Sequence, residues 1–138
     1  MGERPRIVID TNVLVSRLLV PHSLPARAVR HAADHGRLLV SEATLMELAD
    51  VFARPKFDAY MSVAERRQFL VLLMRIAERV TVLHPVQACR DPKDDRLLEV
   101  AVNGAAACVI TGDADLLALD PFRGIPILTP ADYLARFA

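Results

Sequence analysis

The stretch Ile7-Val8-Ile9-Asp10-Thr11-Asn12-Val13 decides the fold class of this chain. Its β-branched residues predict a buried strand over residues 6–10, followed by a helix over residues 13–20. A related stretch, Cys108-Val109-Ile110-Thr111-Gly112-Asp113-Ala114-Asp115, predicts a strand and then a short helix over residues 113–119. A carboxylate therefore follows each strand. Because ligands collect outside the carboxyl ends of strands in open α/β sheets, we expect these acids to meet at one edge.

Capping residues, glycines and prolines mark the remaining helices, and short apolar runs mark the remaining strands. The predicted elements are a helix from the cap Ser23 to Gly36, a strand at 38–40, a helix from Ser41 to Arg54, a helix from the Ser62/Glu65 capping box to Glu78, a strand at 80–83, a helix from Asp94 or Asp95 to Asn103, a strand at 127–128 and a helix from Thr129 onwards. This order predicts an α/β fold, with a largely parallel sheet of about five strands flanked by helices on both faces. We expect residues 1–138 to form one domain.

Composition is typical of a well-packed globular protein, with 53% hydrophobic residues, 25% charged residues and a net charge of zero. These values exclude a disordered chain and give no sign of a strongly basic nucleic-acid-binding protein. Two cysteines make no disulfide framework, and no apolar stretch reaches membrane-spanning length, so we expect a cytoplasmic protein without a membrane partner. The consecutive apolar residues 69–74 predict a helix that is apolar all round, which favours a homodimer.

Asp10 and Asp113 each have a simpler explanation as a helix N-cap, since aspartate is a preferred capping residue. A charged group at the end of a buried strand is nevertheless costly unless it is paired or bound to a metal. Gly112 is expected to allow a close backbone approach beside Asp113. Asp115 remains an alternative to Asp113, although an acid in the first turn of a helix is usually explained by the helix dipole.

The run Asp91-Pro92-Lys93-Asp94-Asp95 places three acids at a helix start, which is more than capping requires. We expect Asp95 to face inward because Leu98 and the following small or apolar residues share its helical face. Asp94 would then point elsewhere and act in support. The choice between the two acids stays open on the sequence alone.

Glu47 lies in the helix that follows the second strand, where an exposed glutamate is the ordinary explanation, and Glu42 and Asp50 compete with it for a site role. Carboxylates that converge repel one another, so a divalent cation is the natural way to keep them all ionised.

Taken together, these stretches resemble the PIN domain family. The resemblance rests on Ile-Val-Ile-Asp-Thr-Asn, the glutamate after the second strand, Asp-Pro-Lys-Asp-Asp-Arg-Leu-Leu and Val-Ile-Thr-Gly-Asp-Ala-Asp-Leu, which occur in the family's order over nearly the whole chain. Within the family, the chain is similar to the VapC group of toxins from bacterial toxin–antitoxin pairs.

The resemblance implies a PIN-like nuclease domain with endoribonuclease activity that depends on one or two Mg²⁺ or Mn²⁺ ions. It places the acidic quartet on Asp10, Glu47, Asp95 and Asp113, and these residues would hold the metal. Asn12 and Thr111 would support them, with Asp94 and Asp115 as further acids. It also implies an RNA substrate, whose phosphodiester is hydrolysed by metal-activated water, and a cognate antitoxin as partner.

Two other functions share parts of this pattern. A phosphatase similar to the haloacid dehalogenases has a second aspartate two residues after the first, but that position is Asn12 here. A phospho-acceptor receiver domain is the non-enzymatic alternative, and it has an acid pair after its first strand, where this chain has only Asp10.

Overall fold

A computed structural model describes residues 4–138 of the chain. The strands are β1 (Arg6–Ile9), β2 (Arg37–Val40), β3 (Glu78–Arg79), β4 (Cys108–Ile110) and β5 (Ile127–Leu128). The helices are α1 (Thr11–Leu19), α2 (Leu24–His35), α3 (Glu42–Phe52), α4 (Val63–Ile76), α5 (Pro92–Asn103), α6 (Ala114–Leu117) and α7 (Pro130–Phe137), with a 3-10 helix at Pro55–Phe57. The predicted α/β order is confirmed.

All five strands run parallel, in the spatial order β3-β2-β1-β4-β5. β1 and β4 are neighbours in register, with Ile9 paired to Ile110. The chain winds outward from β1 in one direction and then resumes at β4 in the other, so the strand order reverses between these two strands. Their carboxyl ends therefore form the crevice in which open α/β sheets bind ligands.

Alternate residues of each strand pack on opposite faces of the sheet. In β1, Ile7 and Ile9 join a cluster that includes residues of α1, α2, α3, α4 and α7, whereas Val8 joins a second cluster dominated by α5. Both faces are thus covered by helices, as predicted. A strand buried on both faces has no solvated side, and only its ends are free to carry charge.

Capping residues set the helix starts as the sequence indicates. Ser62 accepts a hydrogen bond from the Glu65 amide, and the Glu65 side chain accepts one from the Ser62 amide, which confirms the capping box of α4. Ser23 and Thr129 cap α2 and α7 through their side-chain oxygens, which accept from the amides of Ala26 and Asp132.

Several boundaries differ from the prediction, among them those of β3 and α5. β3 lies at Glu78–Arg79 instead of residues 80–83, and Glu78 is held there by a two-fold hydrogen bond from the Arg6 guanidinium, at 2.8 and 2.6 Å. Helix α5 begins at Pro92 with Asp91 as its N-cap, before the predicted start at Asp94 or Asp95. Proline at the first helical position needs no amide partner, which explains the earlier start.

Helix α4 was expected to be apolar all round, with the core on one side and a second subunit on the other, and within the chain the structure buries Arg66 and Leu73 on it. Four of its apolar side chains near the C-terminal end remain 44–56% exposed: Val71, Leu72, Met74 and Ile76. A groove of about 600 Å³ runs between this helix and helices α1 and α2.

Within residues 4–138, no helix is both long enough and apolar enough to cross a membrane.

Candidate functional site

Thr111 joins the two strand-end aspartates. It follows β4, is fully buried, and donates its hydroxyl proton to Asp10 Oδ2 at 2.7 Å. The same hydroxyl oxygen accepts a hydrogen bond from the Asp113 amide at 3.0 Å. Asp10 and Asp113 also cap α1 and α6, accepting from the amides of Asn12 and Asp115. The two aspartates therefore serve as helix N-caps and also lie close together at the carboxyl ends of β1 and β4.

Asp94, in the first turn of α5, belongs to the same edge. Its pKa is raised to about 6, first by burial and then by the negative charge of Asp113, with further contributions from Asp91, Asp10 and Asp115. Like charges within interaction range disfavour ionisation of one another. The acids that follow β1 and β4 and the acids that begin α5 thus share one region of space.

Asp95 is turned toward the loop that precedes α5, and its role as a metal ligand stays a prediction. Its Oδ1 accepts hydrogen bonds from the backbone amides of Ala88 and Cys89, both at 2.9 Å. The amide of Ala88 is the main cause that lowers the pKa of this buried carboxyl. Asp95 does turn inward, as its helical face predicts, but it turns against the preceding loop.

Glu47, on α3, approaches the site from the other side. Burial raises its pKa first, the charge of Asp10 raises it further, and Lys93 and Arg54 act in the opposite direction. Glu42 and Asp50, the competing acids on this helix, are exposed.

We call the mutually interacting carboxylates the acidic cluster: Asp10, Glu47, Asp91, Asp94, Asp113 and Asp115. Asp91 and Arg54 are neighbours of this cluster that the sequence reasoning did not select. Asp91 could have been found from the Asp91-Pro92 pair, because an aspartate followed by a proline is typical of a helix N-cap and first turn. Arg54 is seven residues after Glu47, a spacing that predicts a shared helical face, although α3 ends at Phe52 and Arg54 lies just beyond it.

Of the supporting residues, Thr111 lies at the centre of the site. Asn12 is exposed in the first turn of α1, with its amide bonded to Asp10. The close backbone approach expected at Gly112 is not seen, because a Cβ atom built there would meet no atom within 4 Å. Cys89 borders the cluster, and burial is the main cause that raises the pKa of its thiol to about 12.

In the part of the chain that the structure describes, no three His, Cys, Asp or Glu side chains lie close enough together to hold a metal ion. The donor chemistry of the acidic cluster nevertheless fits a hard divalent cation, because its ligating atoms would all be carboxylate oxygens. Burial is the first cause of the raised pKa values of Asp94 and Glu47, and repulsion by neighbouring carboxylates, which such a cation would relieve, is the second. The chemistry of the residues present therefore suits a hard divalent cation.

A parallel sheet with carboxylates gathered at its switch point defines an α/β domain with an acidic site at the carboxyl edge. Residues 6–115 match the model of the PIN domain, and the chain belongs to the PIN domain family. PIN domains have a nuclease fold and are generally metal-dependent nucleases of RNA or DNA. The haloacid-dehalogenase alternative is not favoured by this membership.

Comparison with individual proteins agrees with the family. The chain is 29% identical over 118 residues to the uncharacterized protein MJ1680 of Methanocaldococcus jannaschii, covering 83% of this chain and 74% of that protein. Among solved structures, PAE2754 from Pyrobaculum aerophilum is similar with a TM-score of 0.61 at 15% identity, over 96% of this chain and 88% of that one.

Two further structures share the fold. The structure of VapBC2 from Rickettsia felis bound to a DNA fragment from their promoter contains a chain with a TM-score of 0.60 and 11% identity, over 90% of this chain and 98% of that one. The PIN domain endonuclease Utp24 has a TM-score of 0.59 and 20% identity, over 96% of this chain and 90% of that one. At these identities the similarity establishes the fold alone.

Proposed function

We propose that this chain is a divalent-metal-dependent endoribonuclease whose acidic site consists of Asp10, Glu47, Asp94 and Asp113. The observation that carries the proposal is the convergence of acids from the ends of β1 and β4 and from the start of α5, whose charges add to burial in raising the pKa of Asp94. Asp94 takes the place of Asp95 in the expected quartet because the Asp95 carboxylate is engaged with two backbone amides.

These four carboxylates would hold one or two Mg²⁺ or Mn²⁺ ions. A bound ion would lower the pKa of the attacking water and neutralise charge on the phosphate. Thr111 orients Asp10 through its hydroxyl proton and fixes the Asp113 backbone through its oxygen. Lys93 and Arg54 lie close enough to lower the pKa of Glu47, and cations in that position are suited to hold a substrate phosphate beside the acids.

The direct test incubates purified protein with structured RNAs, with and without Mn²⁺. We expect cleavage that requires Mn²⁺ and falls by about 100-fold or more in the Asp10→Asn, Asp94→Asn and Asp113→Asn variants. Asp50→Asn is the matched control, because Asp50 is an exposed acid on α3 outside the acidic cluster. Metal-dependent cleavage that persists in the Asp10 and Asp113 variants would refute the assignment of the site.

We further propose that the protein acts in the cytoplasm as the toxin of a toxin–antitoxin pair, with a small antitoxin protein as its partner. The fold shared with a chain of the VapBC2 complex supports this role. Induced expression in a bacterial host should arrest growth, and the Asp10→Asn variant should not. Normal growth on expression of a protein that is active on RNA in vitro would contradict the toxin role while leaving the nuclease intact.

A further inference from the structure

A row of polar side chains on α5 binds the backbone of the segment that precedes it. Asp95, Glu99 and Asn103 are four residues apart, so they lie on one face of the helix. Each accepts hydrogen bonds from backbone amides within residues 83–89. We call this set of contacts the amide ladder.

Asn103 and Glu99 bind the first part of the segment in the amide ladder. Asn103 Oδ1 accepts from the amides of Leu83 and His84 at 3.0 and 2.9 Å, and its Nδ2 donates to the His84 carbonyl at 2.9 Å. Glu99 Oε2 accepts from the Val86 amide at 3.0 Å.

Glu99 and Asp95 are also the buried members of the ladder. Glu99 is 3% exposed and is bound in addition by the Arg96 guanidinium at 2.8 and 2.9 Å. Asp95 is 6% exposed and makes the last two contacts, to Ala88 and Cys89. Ionised acceptors of this kind form the stronger class of protein hydrogen bonds.

Asp95 stands at the end of the ladder that adjoins the acidic cluster. The segment it binds continues directly into Asp91, whose carboxylate caps α5 by accepting from the Lys93 amide at 2.9 Å. Asp94 is the next residue before Asp95 in the first helical turn. The orientation of this turn therefore depends on the same carboxylate that fixes the incoming loop.

We propose that Asp95 is a positioning residue that locks the loop at residues 88–91 onto the first turn of α5 and thereby aims Asp94 at Asp10 and Asp113. The inference rests on the proposed function for the role of Asp94 in binding metal. A positioning role requires only a hydrogen-bond acceptor at Asp95, whereas a ligand role requires its negative charge. Asparagine keeps the acceptor and loses the charge, so the two roles give opposite results.

The experiment compares Asp95→Asn, Asp95→Ala and Asp94→Asn by Mn²⁺ titration and by NMR measurement of amide exchange and amide chemical shifts. We expect Asp95→Asn to keep protection at the Ala88 and Cys89 amides and to keep Mn²⁺ affinity close to that of the wild type. Asp95→Ala should lose that protection, shift the amide signals of Thr111 and Asp113, and weaken Mn²⁺ binding by about 10-fold or more. Asp94→Asn should lose Mn²⁺ affinity while keeping the protection.

Asn103→Ala is the matched control, because it also frees two backbone amides but at the far end of the amide ladder. It should increase exchange at Leu83 and His84 without moving the Thr111 and Asp113 signals. If Asp95→Ala fails to fold, Asp95→Asn still decides between the two roles.

An Asp95→Asn variant that loses as much Mn²⁺ affinity as Asp94→Asn would overturn the proposal. So would an Asp95→Ala variant that leaves the Thr111 and Asp113 signals unmoved. Absence of Mn²⁺ binding by the wild type would instead refute the proposed function, and the exchange and shift measurements would still test the positioning of the loop.

Discussion

Asp94 and Asp95 are neighbours in the chain, but their carboxylates occupy opposite electrostatic environments. The pKa of Asp94 is raised to about 6 by burial and by surrounding acids, whereas that of Asp95 is lowered, mainly by the Ala88 amide. Adjacent residues on a helix are rotated by about 100° relative to each other. As a result, the Asp94 carboxylate is repelled by other carboxylates, whereas the Asp95 carboxylate is stabilised by backbone amides. We therefore expect substitutions of these two residues to have different effects on stability and on metal binding.

The first prediction concerns stability as a function of pH. A carboxyl whose pKa is raised in the folded state stabilises the fold when it is protonated, so the metal-free protein should lose stability as pH rises between about 4 and 6. The raised pKa of Glu47 acts in the same direction. Urea denaturation across this range should show a smaller loss for Asp94→Asn than for the wild type. Equal slopes for the two proteins would contradict the placement of Asp94.

The second prediction concerns metal addition. A cation that binds only the folded protein stabilises it by about 2.7 kcal/mol at a concentration of 100 times its Kd. Mn²⁺ should therefore raise the Tm of the wild type at neutral pH by several degrees, and a chelator should reverse the increase. Asp10→Asn should respond less, and Asp50→Asn should respond like the wild type. A Tm increase of equal size in all three proteins would indicate nonspecific binding.

The third prediction concerns Thr111. Thr111→Val preserves the shape of a fully buried side chain but removes both hydrogen bonds of its hydroxyl, so it should cost about 1–3 kcal/mol of unfolding free energy. RNA cleavage should fall as well, because Asp10 loses its orienting donor. Thr111→Ser keeps the hydroxyl and should retain more activity than Thr111→Val. If valine is as active as serine, the hydroxyl does not orient Asp10.

The fourth prediction concerns Lys93, the cation that does most to lower the pKa of Glu47. Lys93→Gln should raise KM for RNA and leave kcat nearly unchanged, because a residue that only holds substrate contributes to binding in the ground state and the transition state alike. The salt dependence of binding should also become shallower, since one phosphate contact is lost. Lys56→Gln is the control, as Lys56 is exposed and packs over Phe57. A fall in kcat with constant KM would instead place Lys93 in the chemical step.

The fifth prediction concerns self-association. The exposed apolar side chains near the end of α4 favour a homodimer through this helix, so light scattering should give twice the monomer mass. Leu72→Glu should convert the protein to a monomer. Leu83→Glu is the control, because Leu83 is more exposed than Leu72 but lies outside α4. A wild-type monomer at micromolar concentration would exclude this interface.

Much of this arrangement was predictable from the sequence because strand ends and helix caps are local signals. The strings that end in Asp10 and Asp113 placed both acids at the carboxyl edge, and the Ser62/Glu65 pair placed the start of α4. Asp95 shows where these signals stop, because helical periodicity tells which side chains turn inward but not what they meet there. Asp95 meets a loop whose course depends on contacts up to 20 residues along the chain.

Helix α4 shows the same limit of sequence patterns. A run of apolar residues indicates that a surface is apolar, whereas its burial depends on whether another element is available to cover it. In residues 4–138 the chain supplies α1 and α2 on one side of this helix, and the opposite side stays exposed.

The amide ladder also fixes how long the segment at residues 83–89 can be. Four residues of helix rise about 6 Å, and two residues of extended chain span about 6.7 Å, so the spacing of acceptors on α5 nearly equals the spacing of the amides they bind. The spacing of the acceptors on α5 therefore sets the length of the segment that packs beside the helix. Deleting a single residue from this segment would move every later amide away from its acceptor on α5 and move Asp91 away from the start of the helix. We therefore expect insertions and deletions in this family to fall outside this segment.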